Sequence, residues 1–442
     1  MSFSRISTAA VDTAVLGEPL IFRHGKKANN RIMKSPLSEK MYNWKQHNLE
    51  TLGLPTEEII NLYSHWGQGG YGIILTGNLG VDPKYVGEAG QGLVTLENTN
   101  EESRKLFAKQ AQVMKATGAL AIAQTNHVGK LARENYTNEL GQNHTLVESA
   151  KNPLEFSVEE IEENIFKRFA HAASVLYESG FDGMEMHSAH GMIFNQFLVP
   201  ENQRNDKYGG SIENRTRLLL DTYKAVRGVV PESTGFLVGV KLNSRDFQEC
   251  GMSREDIIKN AGFDFVELTG GAMESAIKEA QKRQTTIDRE NFFLDFVAYT
   301  SEIFKETVVY ITGRWQTANA MVSSVNMGLT KGVGLGRWSC SEPEFPRKLI
   351  AGEVFSCPDY KFTPSEFGQM KNAAHWQMKQ LGDKEYDSNI RSSQFVTDFT
   401  VEEETSNFKK ACEVYRTHLA AIGGQDSHAG VINYKPLNNN NQ

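Results

Sequence analysis

The sequence predicts an α/β chain folded as a (β/α)8 TIM barrel, with an N-terminal hairpin before it and a C-terminal helical extension after it. Three observations carry this reading. Short apolar runs alternate with helical patterns eight times between Arg31 and Gly336, the rhythm of strands and helices that closes a parallel barrel. The segment Gly180-Phe181-Asp182-x-x-Glu185 recurs as Gly262-Phe263-Asp264-x-x-Glu267, an internal echo about two βα units apart. A doubly wound sheet, the structural alternative, would normally carry a Gly-rich turn after its first strand, and Ser35 to Lys40 contains no glycine.

Taken in order, Leu20-Ile21-Phe22 and the His24-Gly25 turn read as a hairpin that runs into a first buried strand, Arg31-Ile32-Met33. Thr56 is placed to cap a helix whose Ile59, Tyr63 and Trp66 share a face and which ends near Gly69-Gly70. Tyr71 to Thr76 and Leu120 to Gln124 are the second and third strands. Ser157-Val158-Glu159-Glu160 is a capping box. It opens a helix in which Ile161, Ile165, Phe169, Ala172 and Leu176 keep a period near 3.6 until Gly180. The fourth strand leads to His187, and a helix follows from Asn214 to about Val230. Strands five to eight are Phe236 to Leu242, Phe263 to Leu268, Val308 to Thr312 and Gly332 to Gly336. Only Ser253 to Asn260 remains for a helix between strands five and six, about two turns where three are usual. Residues 1–354 thus form the barrel and residues 355–442 the extension, with one helical face of Phe367, Met370, Ala374, Met378 and Leu381 and another of Phe408, Cys412, Tyr415 and Leu419. Either could wrap the barrel or form a homodimer contact. The Asn438 to Gln442 tail is polar, low in complexity and expected to be disordered.

Composition narrows the function classes. Of 442 residues, 39% are apolar and 23% charged, and the net charge is −7 with no long basic run. A large core is therefore available, while nucleic acid and anionic membrane are disfavoured as partners. The four cysteines (Cys250, Cys340, Cys357 and Cys412) are scattered without a C-x-x-C pair, so neither a disulfide framework nor a cysteine-held cluster is expected. Met1 to Val15 lacks the layout of a signal peptide, and no apolar run spans a bilayer. The expected location is the cytosol.

The chemistry is concentrated between Glu185 and Arg215. His187 and His190 stand where the fourth strand turns outward. Two neutral imidazoles at this spacing can aim N–H donors at one oxygen and polarise a carbonyl. On their own the pair could equally be incidental, or part of a metal site needing a third ligand. Glu185, on the opposite strand face from Met186, is not expected to converge with them as that ligand. Further on, Arg204, Asp206, Glu213 and Arg215 are spaced to pair with one another and with backbone around the Gly209-Gly210 turn, a scaffold for the loop.

Read together, His-x-Ala-His-Gly, Gln196-Phe197-Leu198 and Asn-x-Arg-x-Asp-x-Tyr-Gly-Gly-Ser-x-Glu-Asn-Arg over Asn202 to Arg215 resemble the old yellow enzyme family of FMN-dependent oxidoreductases. Weaker matches extend the resemblance from about Leu16 to Glu353, and it is strongest to the fungal branch. It implies that His187 and His190 hold a substrate carbonyl above bound FMN. It also implies NAD(P)H as the reductant, sharing one pocket with an unsaturated carbonyl compound, since no separate Rossmann fingerprint is present. The family usually delivers a proton from a tyrosine two residues after the second histidine, and here that position is Met192. A thioether cannot donate a proton. Water, Tyr42 or Tyr85 would have to substitute, or the net reaction would be isomerisation or desaturation.

The resemblance also assigns the cofactor positions. Ser35-Pro36-Leu37-Ser38, Gly77 and Gln124 correspond to positions along the flavin ring, and Gln124 is followed by the matching Asn126-His127-x-Gly129. Lys241 stands where many members carry arginine, placing positive charge near the pyrimidine end of the flavin. Gly313-Arg314 and Gly336-Arg337 fall at the ends of strands seven and eight, where barrels commonly bind phosphate. A Gly-x-Gly-Arg alone is more often a tight turn, and Arg314 replaces the family's usual second glycine. The implied activity is reduction of an α,β-unsaturated carbonyl compound in a specialised biosynthetic step. From a different class, a flavin-free binding protein on the same barrel stays open.

Overall fold

The eight predicted strands close on themselves in a computed structural model that describes residues 3–45, 48–132, 156–243, 261–269, 304, 307–313, 315–421 and 431–437. β1 (Leu20–Ile21) and β2 (Lys27–Ala28) form the antiparallel hairpin. The barrel strands are β3 (Ile32–Lys34), β4 (Ile73–Leu75), β6 (Leu120–Asn126), β7 (Gly183–Ser188), β8 (Leu237–Asn243), β9 (Phe265–Thr269), β10 (Val308–Thr312) and β11 (Gly332–Leu335). Each pairs in parallel with the next, β4 pairs directly with β6, and β11 returns to β3 through Val333 and Ile32. The short β5 (Leu79–Gly80) continues the pairing along the end of β6.

Strand alternation sorts the barrel interior into layers. At the bottom, Met33, Ile73, Leu75, Leu120, Ile122, Leu237, Phe265, Val308 and Tyr310 form an apolar plug, which Leu20, Phe22 and Ala28 of the hairpin region cover. Glycine makes room for its two large rings. A Cβ on Gly239 would lie 2.2 Å from the Phe265 ring, and one on Gly332 would lie 2.2 Å from the Tyr310 ring. Two residues further along the same faces come Gln124, Glu185, Lys241 and Glu267, all buried. Another step brings Asn126, His187, Asn243, Thr269 and Thr312 to the C-terminal mouth.

The helices form where their signals stand. Thr56 Oγ1 accepts from Ile59 N at 3.3 Å and opens Glu57–Gly67, a cap that typically contributes about 1 kcal/mol. Ser157 and Glu160 make the reciprocal capping box. The helix that follows is interrupted by one π-helical turn, Glu162–Phe166, yet Ile161, Ile165, Phe169, Ala172 and Leu176 are all buried. After the histidine loop, Ile212–Val229 begins two residues earlier than the pattern suggests, because Ser211 supplies the cap. The extension contributes Phe367–Gly382 and Glu402–Ala421. Ala374, Met378 and Leu381 join the main core beside Glu57–Gly67, where Asn61 Nδ2 donates to Gly382 O at 3.0 Å. Phe399, Phe408, Cys412, Ile432 and Tyr434 pack a smaller core of their own. The Ser253–Asn260 helix, Cys250, Arg314 and the Asn438–Gln442 tail lie outside the described residues. Among the described residues no helix is long and apolar enough to cross a membrane.

Candidate active site

β7 carries His187 into the mouth of the barrel, and the chain then turns sharply to present His190. That turn uses two consecutive left-handed residues, His190 at φ 56° and Gly191 at φ 79°. Left-handed backbone is costly for a residue with a Cβ, so its neighbours must hold it. Asn243 Oδ1 accepts from His190 N at 3.1 Å, and Asn195 Oδ1 accepts from Gly191 N at 2.9 Å. Asn243 Nδ2 in turn donates to Asn195 Oδ1 at 3.3 Å. Gln196 Nε2 donates to Gly191 O at 2.6 Å and Val128 O at 3.0 Å, tying the loop to the end of β6. The histidine loop is thus clamped by three amides.

The two imidazole rings meet edge to face with centroids 5.3 Å apart. His187 Nδ1 accepts from Ala189 N at 3.2 Å, which leaves the ring proton on Nε2 as a free donor. Burial, His190 and Lys241 hold the His187 pKa far below its ordinary value. Burial and then Lys241 bring His190 down to about 3. Both rings are therefore neutral near pH 7, the state in which each offers one N–H. Thr269 Oγ1 lies 3.5 Å from His190 Nε2.

Met192 sits beside them at the N-cap of Ile193–Leu198. Its Sδ accepts from Asn126 Nδ2 at 3.5 Å, and a thioether supplies no acid. Both candidate tyrosines are buried. Tyr42 OH accepts from Gln110 Nε2 at 2.9 Å on the outer helix Glu101–Met114. Tyr85 packs on His127 at 4.3 Å and on Phe156 at 5.6 Å. Burial pushes both phenols up and makes them weaker acids.

Beneath the histidines lies a buried polar layer. Gln124 Nε2 donates to Glu185 Oε1 at 2.6 Å, and Lys241 Nζ lies 3.0 Å from Glu267 Oε2. Burial first, then the neighbouring Glu267 carboxylate, raises the Glu185 pKa well above its ordinary value. Glu185 shares its strand face with His187, two residues away, because alternation has period two. It is turned away from the histidines by its partners one layer below. Among the described residues no group of three or more His, Cys, Asp or Glu is arranged to hold a metal.

Of the remaining predicted positions, the described ones lie at or just beyond the C-terminal ends of β3, β4, β10 and β11. Ser35 Oγ bonds Thr312 Oγ1 at 2.7 Å, and Ser35 N donates to Leu335 O at 2.9 Å. Pro36, Leu37 and Ser38 are half-buried. Gly77 N donates to Glu39 Oε1 at 2.8 Å and to Tyr63 OH at 3.0 Å. Its backbone amide is therefore engaged by protein, and what it offers is clearance: a Cβ there would lie 2.3 Å from Leu37 O. Gly313 has φ 147°, and a Cβ on Gly336 would meet nothing nearer than Leu37 Cδ2 at 3.8 Å. Arg337 has no carboxylate partner among the described residues. Its guanidinium lies over the Phe367 ring at 5.0 Å and donates to Met370 Sδ at 3.8 Å.

The sequence and the fold have known counterparts. The model of the NADH:flavin oxidoreductase / NADH oxidase family matches residues 16–353. The chain belongs to that family. An NADH-dependent flavin oxidoreductase of Aspergillus parasiticus is 31% identical over 422 residues, covering 91% of this chain and 94% of the relative. A second, from Hypocrea jecorina, is 29% identical and covers 82% and 94%. Among solved structures, morphinone reductase superimposes with a TM-score of 0.62 at 19% identity, over 80% of this chain and 93% of that one. The old yellow enzyme homologue from Zymomonas mobilis gives 0.58 at 19% identity, over 77% and 94%. At those identities the two structures show the barrel fold. Family membership makes the chain an oxidoreductase with FMN as cofactor and a reduced nicotinamide as co-substrate.

The residues present fit such a cofactor. An unpaired arginine beside an open glycine suits a phosphate. A buried lysine suits the electron-rich end of a flavin, and the half-buried Pro36-to-Ser38 arm beyond buried Ser35 offers an edge for its ring. Sequence reasoning missed Glu267, Asn243 and Asn195. Glu267 had a signal, since it is the echo of Glu185. The loop scaffold is as expected for Arg204, which pairs with Asp206 and donates to Phe156 O at 2.8 Å. Arg215 donates to Leu198 O and Gly210 O. Glu213 is different: it is exposed in the first helical turn, where its own backbone N–H and Ser211 hold its carboxyl below the usual range.

Proposed function

We propose that this oxidoreductase reduces the carbon–carbon double bond of an α,β-unsaturated carbonyl compound, with His187 and His190 gripping the carbonyl oxygen. The observation that carries the reading is the pair of neutral imidazoles, 5.3 Å apart and clamped by Asn243 and Asn195. Fixed donors stabilise the negative charge that develops on that oxygen when hydride reaches the β-carbon. Deleting one such donor from an oxyanion hole costs about 2.7–4 kcal/mol of barrier. When bound, FMN supplies the two-electron relay from the reduced nicotinamide. The residues that would hold it are Ser35 to Ser38, Gly77, Gln124 and Lys241 along the ring, with Gly313, Arg314, Gly336 and Arg337 at the phosphate. Gln124 and Lys241 are held in place by Glu185 and Glu267.

Protonation of the α-carbon falls to solvent in this reading, because Met192 cannot donate, Tyr42 OH is bonded to Gln110, and burial makes Tyr85 a weaker acid. Met192 also favours a second reading, in which a substrate is isomerised or desaturated and no net reduction occurs. The NADH dependence of the two fungal relatives supports NADH as the reductant, and the reaction would serve a specialised biosynthetic step. Residues 1–354 would act as the catalytic barrel in the cytosol, with 355–442 as an extension available to a homodimer contact. The test is anaerobic turnover of NADH with a panel of cyclic enones, followed by product identification. Saturated ketones support the first reading; positional isomers support the second, as do dienones formed when NAD+ replaces NADH and takes up the hydride. Absence of any enone-dependent change would remove both.

A further inference from the structure

The family match ends at residue 353, yet the arginine at the end of β11 is seated by residues beyond it. We infer that Phe367 and Met370, from the first helix of the C-terminal extension, are positioning residues that aim Arg337 at the phosphate of the cofactor. The inference rests on the proposed phosphate role of Arg337 and adds the means by which its side chain is held.

Arginine loses rotamer freedom when it is fixed, and it is usually fixed by a carboxylate. Arg337 has none among the described residues. Its guanidinium plane lies over the Phe367 ring with Cζ 5.0 Å from the centroid, and Nη1 reaches Met370 Sδ at 3.8 Å. An aromatic face and a thioether orient a cation without neutralising it. The full charge is then left for an incoming anion, whereas a carboxylate would compete with it. On the adjoining backbone, Gly336 leaves open space up to Leu37 Cδ2 at 3.8 Å. Met370 and Phe367 are carried by the helix Phe367–Gly382, whose later turns are anchored by Ala374, Met378 and Leu381 in the main core. The seat is therefore rigid at its far end. Both residues belong to the face that the amphipathic pattern assigns to packing, and they depart from that role by turning to the arginine.

The experiment is equilibrium exchange of the full-length holoprotein against mixed FMN and riboflavin, with the bound ratio measured by chromatography. The two ligands differ only in the phosphate, so effects on global stability and on the ring site cancel in the ratio. Phe367→Leu, which keeps an apolar side chain but removes the π face, should reduce FMN preference by about two- to thirty-fold, the range of a cation–π contact. Phe367→Tyr should restore it, and Met370→Leu should lower it less. Arg337→Gln should abolish most of the preference. If Arg337→Gln collapses the ratio while Phe367→Leu leaves it unchanged, the positioning role is wrong and the phosphate assignment stands. If Arg337→Gln itself leaves the ratio unchanged, the phosphate assignment fails and the inference falls with it.

Discussion

Substituting His187 should weaken phenolate binding without weakening FMN binding, and the size of the effect follows from the site. A phenolate presents to the pocket the same charged oxygen that an enone carbonyl develops during hydride addition. His187 Nδ1 is occupied by Ala189 N–H at 3.2 Å, so its one donor is Nε2–H. Burial and the adjacent His190 keep the ring neutral, so the interaction is a hydrogen bond to a charged acceptor and not an ion pair. Such bonds contribute about 1.5–3 kcal/mol, which at about 1.4 kcal/mol per decade is roughly a ten- to hundred-fold change in Kd. His187→Ala should therefore raise the Kd of a para-substituted phenol by that factor, read from the perturbed flavin absorbance. His187→Asn, which keeps a donor, should recover part of the loss. Affinity should follow ionisation of the phenol, with no inflection near pH 6.5 from either imidazole. The reasoning is refuted if His187→Ala binds phenol like the wild type, or if it loses FMN in parallel.

Three further outcomes follow. Met192→Tyr should accelerate reoxidation of the reduced protein by simple enones, since a positioned acid typically contributes 10²–10⁴-fold; stopped-flow absorbance would show it, and an unchanged rate would mean that proton delivery never depended on this position. Acid should destabilise the fold. His127 and His190 have pKa values of about 3 in the folded state against 6.5 when unfolded, so the unfolded chain binds more protons between those values. The contribution is complete above pH 6.5 and is lost as pH falls toward 3; the dependence of Tm on pH should flatten in His190→Gln, and an unaltered slope would contradict the assignment. Gly77→Ala would put a Cβ 2.0 Å from Glu39 Oε2 and 2.3 Å from Leu37 O. Overpacking of this kind costs about 1–3 kcal/mol, and it should lower Tm and loosen FMN by displacing the Ser35-to-Ser38 arm, as thermal unfolding and flavin fluorescence would report.

What was legible in the chain was whatever depends on local pattern. All eight barrel strands lie where apolar runs predict them, because a parallel strand buried on both faces reads as a continuous apolar stretch. The caps at Thr56 and Ser157 are equally local. His187 and His190 were legible because the turn that presents them is encoded within a few residues. Partners across strands were harder. Lys241 is conspicuous as a charge in an apolar strand, but its pairing with Glu267 depends on the register of β8 against β9. Lys34 gave no signal at all. It is fully buried, lies 3.9 Å from the Trp66 ring centroid, and is brought down to about 8 chiefly by burial, a placement that exists only once Glu57–Gly67 docks on β3. Phe367 and Met370 read as ordinary core positions for the same reason. Their contact with Arg337 belongs to tertiary docking, which helical periodicity does not encode.

The central claim is that one mouth accepts hydride equivalents from a nicotinamide and returns them to an enone held by two imidazoles. Anaerobic titration of the purified yellow protein tests it most directly. One equivalent of NADH should bleach the flavin absorbance, and one equivalent of 2-cyclohexenone should restore it with formation of cyclohexanone. In His187→Ala/His190→Ala, restoration by the enone should slow by at least 10²-fold, the effect of losing a single oxyanion donor. A protein that NADH does not bleach, or a double variant that the enone reoxidises at the wild-type rate, would contradict the account.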